Sequence, residues 1–242
     1  MKKTFLKKII LFFIVLECLF LFNSSCGLDV FTMISPPYTV TNKPAYYDVE
    51  VSSKYFEFYT NETEDNEFDG TAVYYKIYNN VEKLQSDVAS LVSLANDSQN
   101  NYNAPYRLIE KGYFYYQPLR KEGNSSQILV EYTGYPKKVH IRLSDYKNFS
   151  DFSACIKISE NNIGKPLRNL SNKSTFNFFA KTSYDRIPEK NDDDVRFSGN
   201  ATDDGLYVSM FAVAIGHNLD YTPIYSNILY LGSVKINPDD FS

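Results

Sequence analysis

Hydrophobic and polar positions alternate in several short runs of this chain, and alternation with a period of two predicts half-buried strands. Tyr55 to Tyr59 sets Phe56 and Phe58 against Tyr55, Glu57 and Tyr59. Val139-His140-Ile141-Arg142-Leu143 places Val139, Ile141 and Leu143 on one face and His140 beside Arg142 on the polar one. Thr71–Tyr78 is rich in β-branched and aromatic residues and reads as a clear strand. Tyr47–Val51, Tyr113–Tyr116, Gln127–Tyr132, Ala154–Ile158 and Phe176–Ala180 are further strand expectations. The strongest ones toward the C-terminus are Leu206–Ile215 and Ile224–Ile236, separated by Gly216-His217-Asn218-Leu219-Asp220.

One segment follows the helical period. Across Asn80–Ala95 the apolar residues fall at Val81, Leu84, Val88, Leu91, Val92 and Ala95. Asn79, with Glu82 three residues on, has the form of an N-cap. Ser144–Asp151 suggests a short second helix. Asn61–Gly70 reads as a polar, acidic loop ending in an Asp69-Gly70 turn. Asn161–Gly164 and Lys190–Asp194 also read as loops.

The beginning of the chain has a different pattern. Lys2, Lys3, Lys7 and Lys8 precede an apolar run from Ile9 to Phe22, and Asn23-Ser24-Ser25-Cys26-Gly27 follows. This is the layout of a secretory signal peptide. A spanning helix needs about 20 apolar residues; the run here has 14 and contains Glu17. A short apolar core of that kind favours a signal peptide over residues 1–25, cleaved, against an uncleaved signal anchor. Cys26, after two small residues and before Gly27, resembles the lipobox cysteine of bacterial lipoproteins. Asn23 stands where that motif usually carries Leu, which brings it closer to the looser spirochaete-type lipobox. The stretch Ser25-Cys26-Gly27-Leu28-Asp29-Val30-Phe31 resembles the start of spirochaetal lipoproteins of unknown function. The resemblance implies that Cys26 is acylated, that the lipid bilayer is a partner through it, and that the protein is exported to the cell envelope. Gly27 rather than Asp after the cysteine implies the outer membrane. Several acyl chains hold stably, at about 0.8 kcal/mol per buried methylene. Residues 26–37 would then be anchor and tether. That tether is short and apolar at Leu28, Val30, Phe31, Met33 and Ile34, so the folded part is expected close to the bilayer.

Cysteine and charge narrow the function classes. Cleavage would remove Cys18 and leave Cys155 as the one thiol besides Cys26, so no internal disulfide is expected. Cys155 lies in an apolar run and reads as a buried structural thiol. Residues 1–25 hold four lysines and one glutamate, so the rest carries 21 basic and 28 acidic residues, a net charge of −7. That balance argues against nucleic acid as a partner and against a polybasic membrane patch.

The strands also carry a fold resemblance. Thr71–Tyr78 looks like the third strand of a fibronectin type III or related immunoglobulin-like sandwich. Leu206–Ile215 and Ile224–Ile236 look like its final hairpin. Such a domain needs only about 100 residues. The expectation is therefore a mainly β chain, with residues 38–242 as one elaborated antiparallel β-sandwich. A large insertion over about 81–196 would carry one amphipathic helix. Two separate domains are the alternative, but no Pro/Gly/Ser-rich linker marks a boundary.

Catalytic groups are sparse. His140 and His217 belong to no nucleophile or zinc motif. Asp65-Asn66-Glu67-Phe68-Asp69-Gly70 begins like a calcium loop, but Lys76 replaces the carboxylate due at the twelfth position. It reads as a solvated acidic hairpin loop, and Asp192-Asp193-Asp194 and Asp203-Asp204 read the same way. Tyr102, Tyr106, Tyr113, Tyr115 and Tyr116 fall near Arg107 and Arg120, a composition seen at binding surfaces, although core or edge packing is the leading expectation for them. After Cys26, Asn-x-Ser/Thr occurs at Asn61, Asn96, Asn124, Asn148, Asn169, Asn172 and Asn200, the pattern of a soluble secreted glycoprotein. The leading expectation is a membrane-anchored, non-enzymatic bacterial lipoprotein without cofactor or metal. It would bind a protein or glycan ligand that the sequence does not name. An envelope structural or assembly component and the soluble N-glycosylated protein are the alternatives.

Overall fold

A computed structural model describes residues 34–61, 68–109, 116–123, 126–146, 151–170, 178, 188–199 and 205–236. In chain order the elements are β1 (Val40–Asn42), β2 (Phe56–Tyr59), β3 (Phe68–Tyr78), α1 (Val81–Asn96), α2 (Ala104–Ile109), β4 (Gln117–Pro118), β5 (Arg120–Lys121) and β6 (Val130–Glu131). They continue with β7 (Lys138–Arg142), β8 (Cys155–Ile158), β9 (Asn161–Gly164), β10 (Pro166–Leu167), β11 (Val195–Arg196), β12 (Leu206–His217), β13 (Pro223–Tyr225) and β14 (Leu229–Ile236). The protein is mainly β, and curled, half-barrel-like sheet dominates it.

One sheet has the order β1-β2-β7-β8-β9 and is antiparallel throughout. A second is built on the long antiparallel pair β3 and β12. Beyond β12 lie β13 and β14; beyond β3 lie β4, β6 and the parallel β11. β5 and β10 form a separate two-stranded ladder.

The period of two explains how these sheets pack. Phe56 and Phe58 of β2, Val139 and Ile141 of β7 and Ile156 of β8 point to one face of the first sheet. They share an apolar cluster with Val73, Tyr75 and Ile77 of β3 and Val208, Met210 and Ala212 of β12. The opposite face of β3 and β12 is apolar too. Ala72, Tyr74, Tyr78, Tyr207, Phe211 and Val213 pack there against Leu84, Val88 and Leu91 of α1 and Leu108 of α2. β3 and β12 are therefore buried on both faces, which is why both read as near-continuous apolar runs rather than clean alternations.

Helix α1 confirms the periodic reading but shifts its cap by one residue. Asn80, in extended backbone, accepts the Lys83 N–H at 2.9 Å. Asn79 is buried instead and clamps Ser198, donating to its carbonyl at 3.2 Å and accepting its N–H at 2.8 Å. Asp97 ends the helix by turning its carboxylate onto the Gln99 N–H and the Asn100 amide, each at 2.9 Å. Asn80→Ala is expected to cost about 1 kcal/mol; Asn79→Ala releases Ser198 from the end of β3 without touching the cap. Urea titrations of the two variants, followed by far-UV circular dichroism, separate the roles.

Several expectations change. Tyr47–Val51 is not a strand: Ala45 donates its N–H to the Asp48 carboxylate at 2.7 Å, and a 3-10 turn follows at Val51–Ser53. Asn161–Gly164, expected as a loop, is edge strand β9. Only Val130–Glu131 of Gln127–Tyr132 pairs as strand. Asp69-Gly70 lies inside β3, not in a turn. Gly70 at φ +155 lets the Val130 carbonyl approach to where a Cβ would sit 2.3 Å from it. β2 and β3 belong to different sheets and do not pair with each other; residues 62–67 between them lie outside the described residues. The C-terminal antiparallel pairing is as expected, with Leu206–Ala212 running against Leu229–Ile236. The expectations at Tyr113–Tyr115, Lys147–Ser150, Asp203–Asp204 and most of Phe176–Ala180 lie outside the described residues.

Candidate functional site

The outward face of the first sheet carries an open depression of about 580 Å³. The alternation that sends Phe56, Val139, Ile141 and Ile156 inward sends Glu57, Lys138, His140, Arg142, Cys155 and Lys157 to this side. The strand register aligns His140 with Glu57 on one neighbour and with Lys157 on the other, and Arg142 with Cys155. Tyr55, Phe152, Asp151, Glu160 and Asn162 complete most of the rim.

Charges separate along the depression. At one end Lys138 bridges Glu57 at 3.1 Å and Glu160 at 3.8 Å. Thr41 donates its hydroxyl to Glu57 at 2.7 Å. Burial works to raise the Glu57 carboxyl, but the hydrogen bonds from Thr41 and Lys138 outweigh it and hold it below the usual carboxylate range. His140 stands 3.5 Å from Glu57 and stacks on Tyr55 with ring centroids 4.5 Å apart. Burial, followed by the Arg142 charge, lowers its pKa against the pull of Glu57, which favours the neutral imidazole.

At the other end Arg142 is only 4% exposed. It donates to the Val51 carbonyl at 2.8 Å and the Ser52 carbonyl at 3.4 Å, holding the 3-10 turn onto the sheet. Its guanidinium lies 4.8 Å from the Phe152 ring centroid and 5.3 Å from that of Tyr55. Cys155 is buried and free, and burial pushes its thiol up, away from the thiolate a nucleophile needs. The bland sequence reading of Cys155 therefore fits its surroundings, although the fold sets it one strand from His140.

The other sequence candidates scatter. His217 pairs with Asp69 at 2.9 Å and stacks on Tyr221. The tyrosine group splits: Tyr102 and Tyr106 are exposed, while Tyr116 is core. Tyr113 and Tyr115 lie outside the described residues, as do Cys26 and Asp65–Glu67. Among the described residues no group of His, Cys, Asp and Glu is placed to hold a metal ion, and no helix is long and apolar enough to cross a membrane.

Asp194, expected on a solvated acidic turn, is buried, and Asp192 is half-buried. Asp194 is 0% exposed and grips Arg168, itself 1% exposed. Asp192 takes the same guanidinium at 2.8 Å. Sequence reading passed over Arg168 altogether. No family model, curated protein or solved structure matches the chain.

Proposed function

We propose that this chain is an exported bacterial lipoprotein, held to the cell envelope by acylated Cys26, that binds a ligand without transforming it. Residues 1–25 act as the cleaved signal peptide and residues 26–37 as anchor and tether. Residues 38–242 form one elaborated antiparallel β-sandwich of fibronectin type III or immunoglobulin-like type, with 81–196 as its insertion. That segment supplies both helices and three strands of the first sheet. The observation that carries the binding role is the depression. It is polar and open; its floor is built from side chains fixed on adjacent strands, with turn and loop residues such as Asp151 and Phe152 at the rim. Burial favours its protonated thiol, and among the described residues its histidine is partnered by Glu57 and Tyr55 rather than by a nucleophile, which favours recognition over turnover.

Radioactive palmitate supplied to producing cells tests the anchor. The wild-type chain is expected to carry label and partition into detergent, and Cys26→Ala to lose both. An unlabelled wild-type chain would overturn the lipoprotein reading. An occupied glycan at Asn96, which sits exposed at the end of α1, would replace it with the soluble secreted one.

A further inference from the structure

Among the described residues two arginines are buried, and their surroundings differ. Arg168 is closed in by two aspartates. Arg142 is buried almost as deeply, yet among the described residues its hydrogen-bond and ring contacts are two neutral carbonyls and two aromatic rings. Burial works against its charge, and the groups that favour the charge are Tyr146, Cys155 and Tyr55, none of them a carboxylate. The acids of the depression are turned elsewhere. Glu57 is held by Thr41, Lys138 and His140, and Glu160 faces Lys138. Asp151 is exposed and forms no ion pair with Arg142 among the described residues. A cation taken out of water without a counter-charge is costly. This one is kept where it borders open space.

We infer that Arg142 is the receptor of an oxyanion subsite that takes the carboxylate of a ligand bound in the depression. The carbonyls of Val51 and Ser52 occupy two of the five donors a guanidinium offers, so N–H groups remain for a planar carboxylate. The rings of Tyr55 and Phe152 hold the group in place and exclude water around it, which strengthens the charged contact. Lys157, beside Cys155 on β8, adds a second positive charge on the same face. The Glu57–Lys138–Glu160 end repels the anion, so the ligand is oriented with its carboxylate toward Arg142 and its neutral part toward His140.

The inference rests on the depression being the binding face, and sodium glucuronate with glucose as its neutral counterpart separates the two. The purified protein is titrated with each at matched ionic strength, following amide NMR shifts. Glucuronate is expected to shift Tyr55, His140 and Cys155, and glucose to bind at least about tenfold more weakly. Arg142→Lys loses the planar fork and is expected to weaken glucuronate about tenfold. Lys157→Glu leaves the Val51 and Ser52 clamp untouched, so it keeps the test open if Arg142→Lys unfolds; it is expected to weaken glucuronate by a similar factor. Equal binding of both sugars at these residues overturns the carboxylate subsite and leaves the binding face. Unchanged glucuronate binding in folded variants reduces Arg142 to a strut for the 51–53 turn and overturns the inference. Silence at these residues with both probes overturns subsite and face together, while Cys26 labelling still decides the anchor.

Discussion

Asp194→Ala is expected to lower the free energy of unfolding by about 3–5 kcal/mol, the cost of leaving a buried charge without its partner. Asp194 binds two nitrogens of Arg168 through both carboxylate oxygens, with Nε at 2.7 Å. It also accepts the Tyr75 hydroxyl at 2.7 Å, and that hydroxyl in turn accepts the Asn169 N–H at 2.7 Å. Truncation thus leaves a guanidinium and a phenol in the core with donors unmet. The network joins three distant pieces of chain: the residues after β10, the turn before β11, and the middle of β3. Asp192 keeps one contact to Arg168, so the variant is destabilised rather than abolished as a fold. The double variant Arg168→Met with Asp194→Leu removes the charges as a pair and is expected to recover most of the loss. Urea midpoints at constant m-value measure both. A single variant within 1 kcal/mol of wild type would show that the network contributes little.

This network also marks where the sequence stops being legible. Three consecutive aspartates look solvated because the run says nothing of an arginine more than twenty residues earlier, or of Tyr75 more than a hundred earlier. Local periodicity does carry real information. Val139, Ile141 and Leu143 are all buried as their spacing demands, and His140 lies with Arg142 on the polar face. The helix was readable because Leu84, Val88 and Leu91 recur at its period. Its cap was misread because Asn79 and Asn80 are chemically identical, and only the tertiary contact to Ser198 assigns them different work. Gly70 looked like a turn residue, but its freedom is used for close approach of β6 to β3. The depression was half visible: its polar strand positions follow from alternation, whereas Phe152 and the turn carbonyls that fix Arg142 come from segments whose placement only the fold decides.

Lys76 leads to the second large effect, a rise in stability with pH that one substitution removes. It lies on β3 between Tyr74 and Tyr78 along the face covered by α1, and is only 8% exposed. Its ammonium sits 5.9 Å and 5.8 Å from the ring centroids of Tyr78 and Tyr116. Asp87, the nearby carboxylate, is already engaged by the Tyr78 hydroxyl at 3.1 Å and by Arg196. Burial is the main influence and lowers the lysine to about 8; Asp87 pulls upward and Arg196 downward. An unfolded lysine titrates near 10.4. Between those values the unfolded chain binds more protons than the native one, so stability increases as pH rises through this window. The full span amounts to about 3 kcal/mol at 1.36 kcal/mol per unit. Below pH 8 the penalty is present in full and constant. Lys76→Met keeps the apolar stem and removes the charge. It is expected to raise stability at pH 7 by about 1–3 kcal/mol, the upper value being reduced by the lost ring contacts. The buried tyrosines Tyr78 and Tyr116 are themselves pushed upward by burial and bias stability the other way above pH 10. Their effect is common to both proteins, so the difference between wild type and Lys76→Met isolates the lysine. Urea midpoints at pH 7, 8, 9 and 10 are expected to show that difference shrinking as pH rises. Parallel curves for the two proteins would mean that Lys76 keeps an ordinary proton affinity inside the helix-covered face.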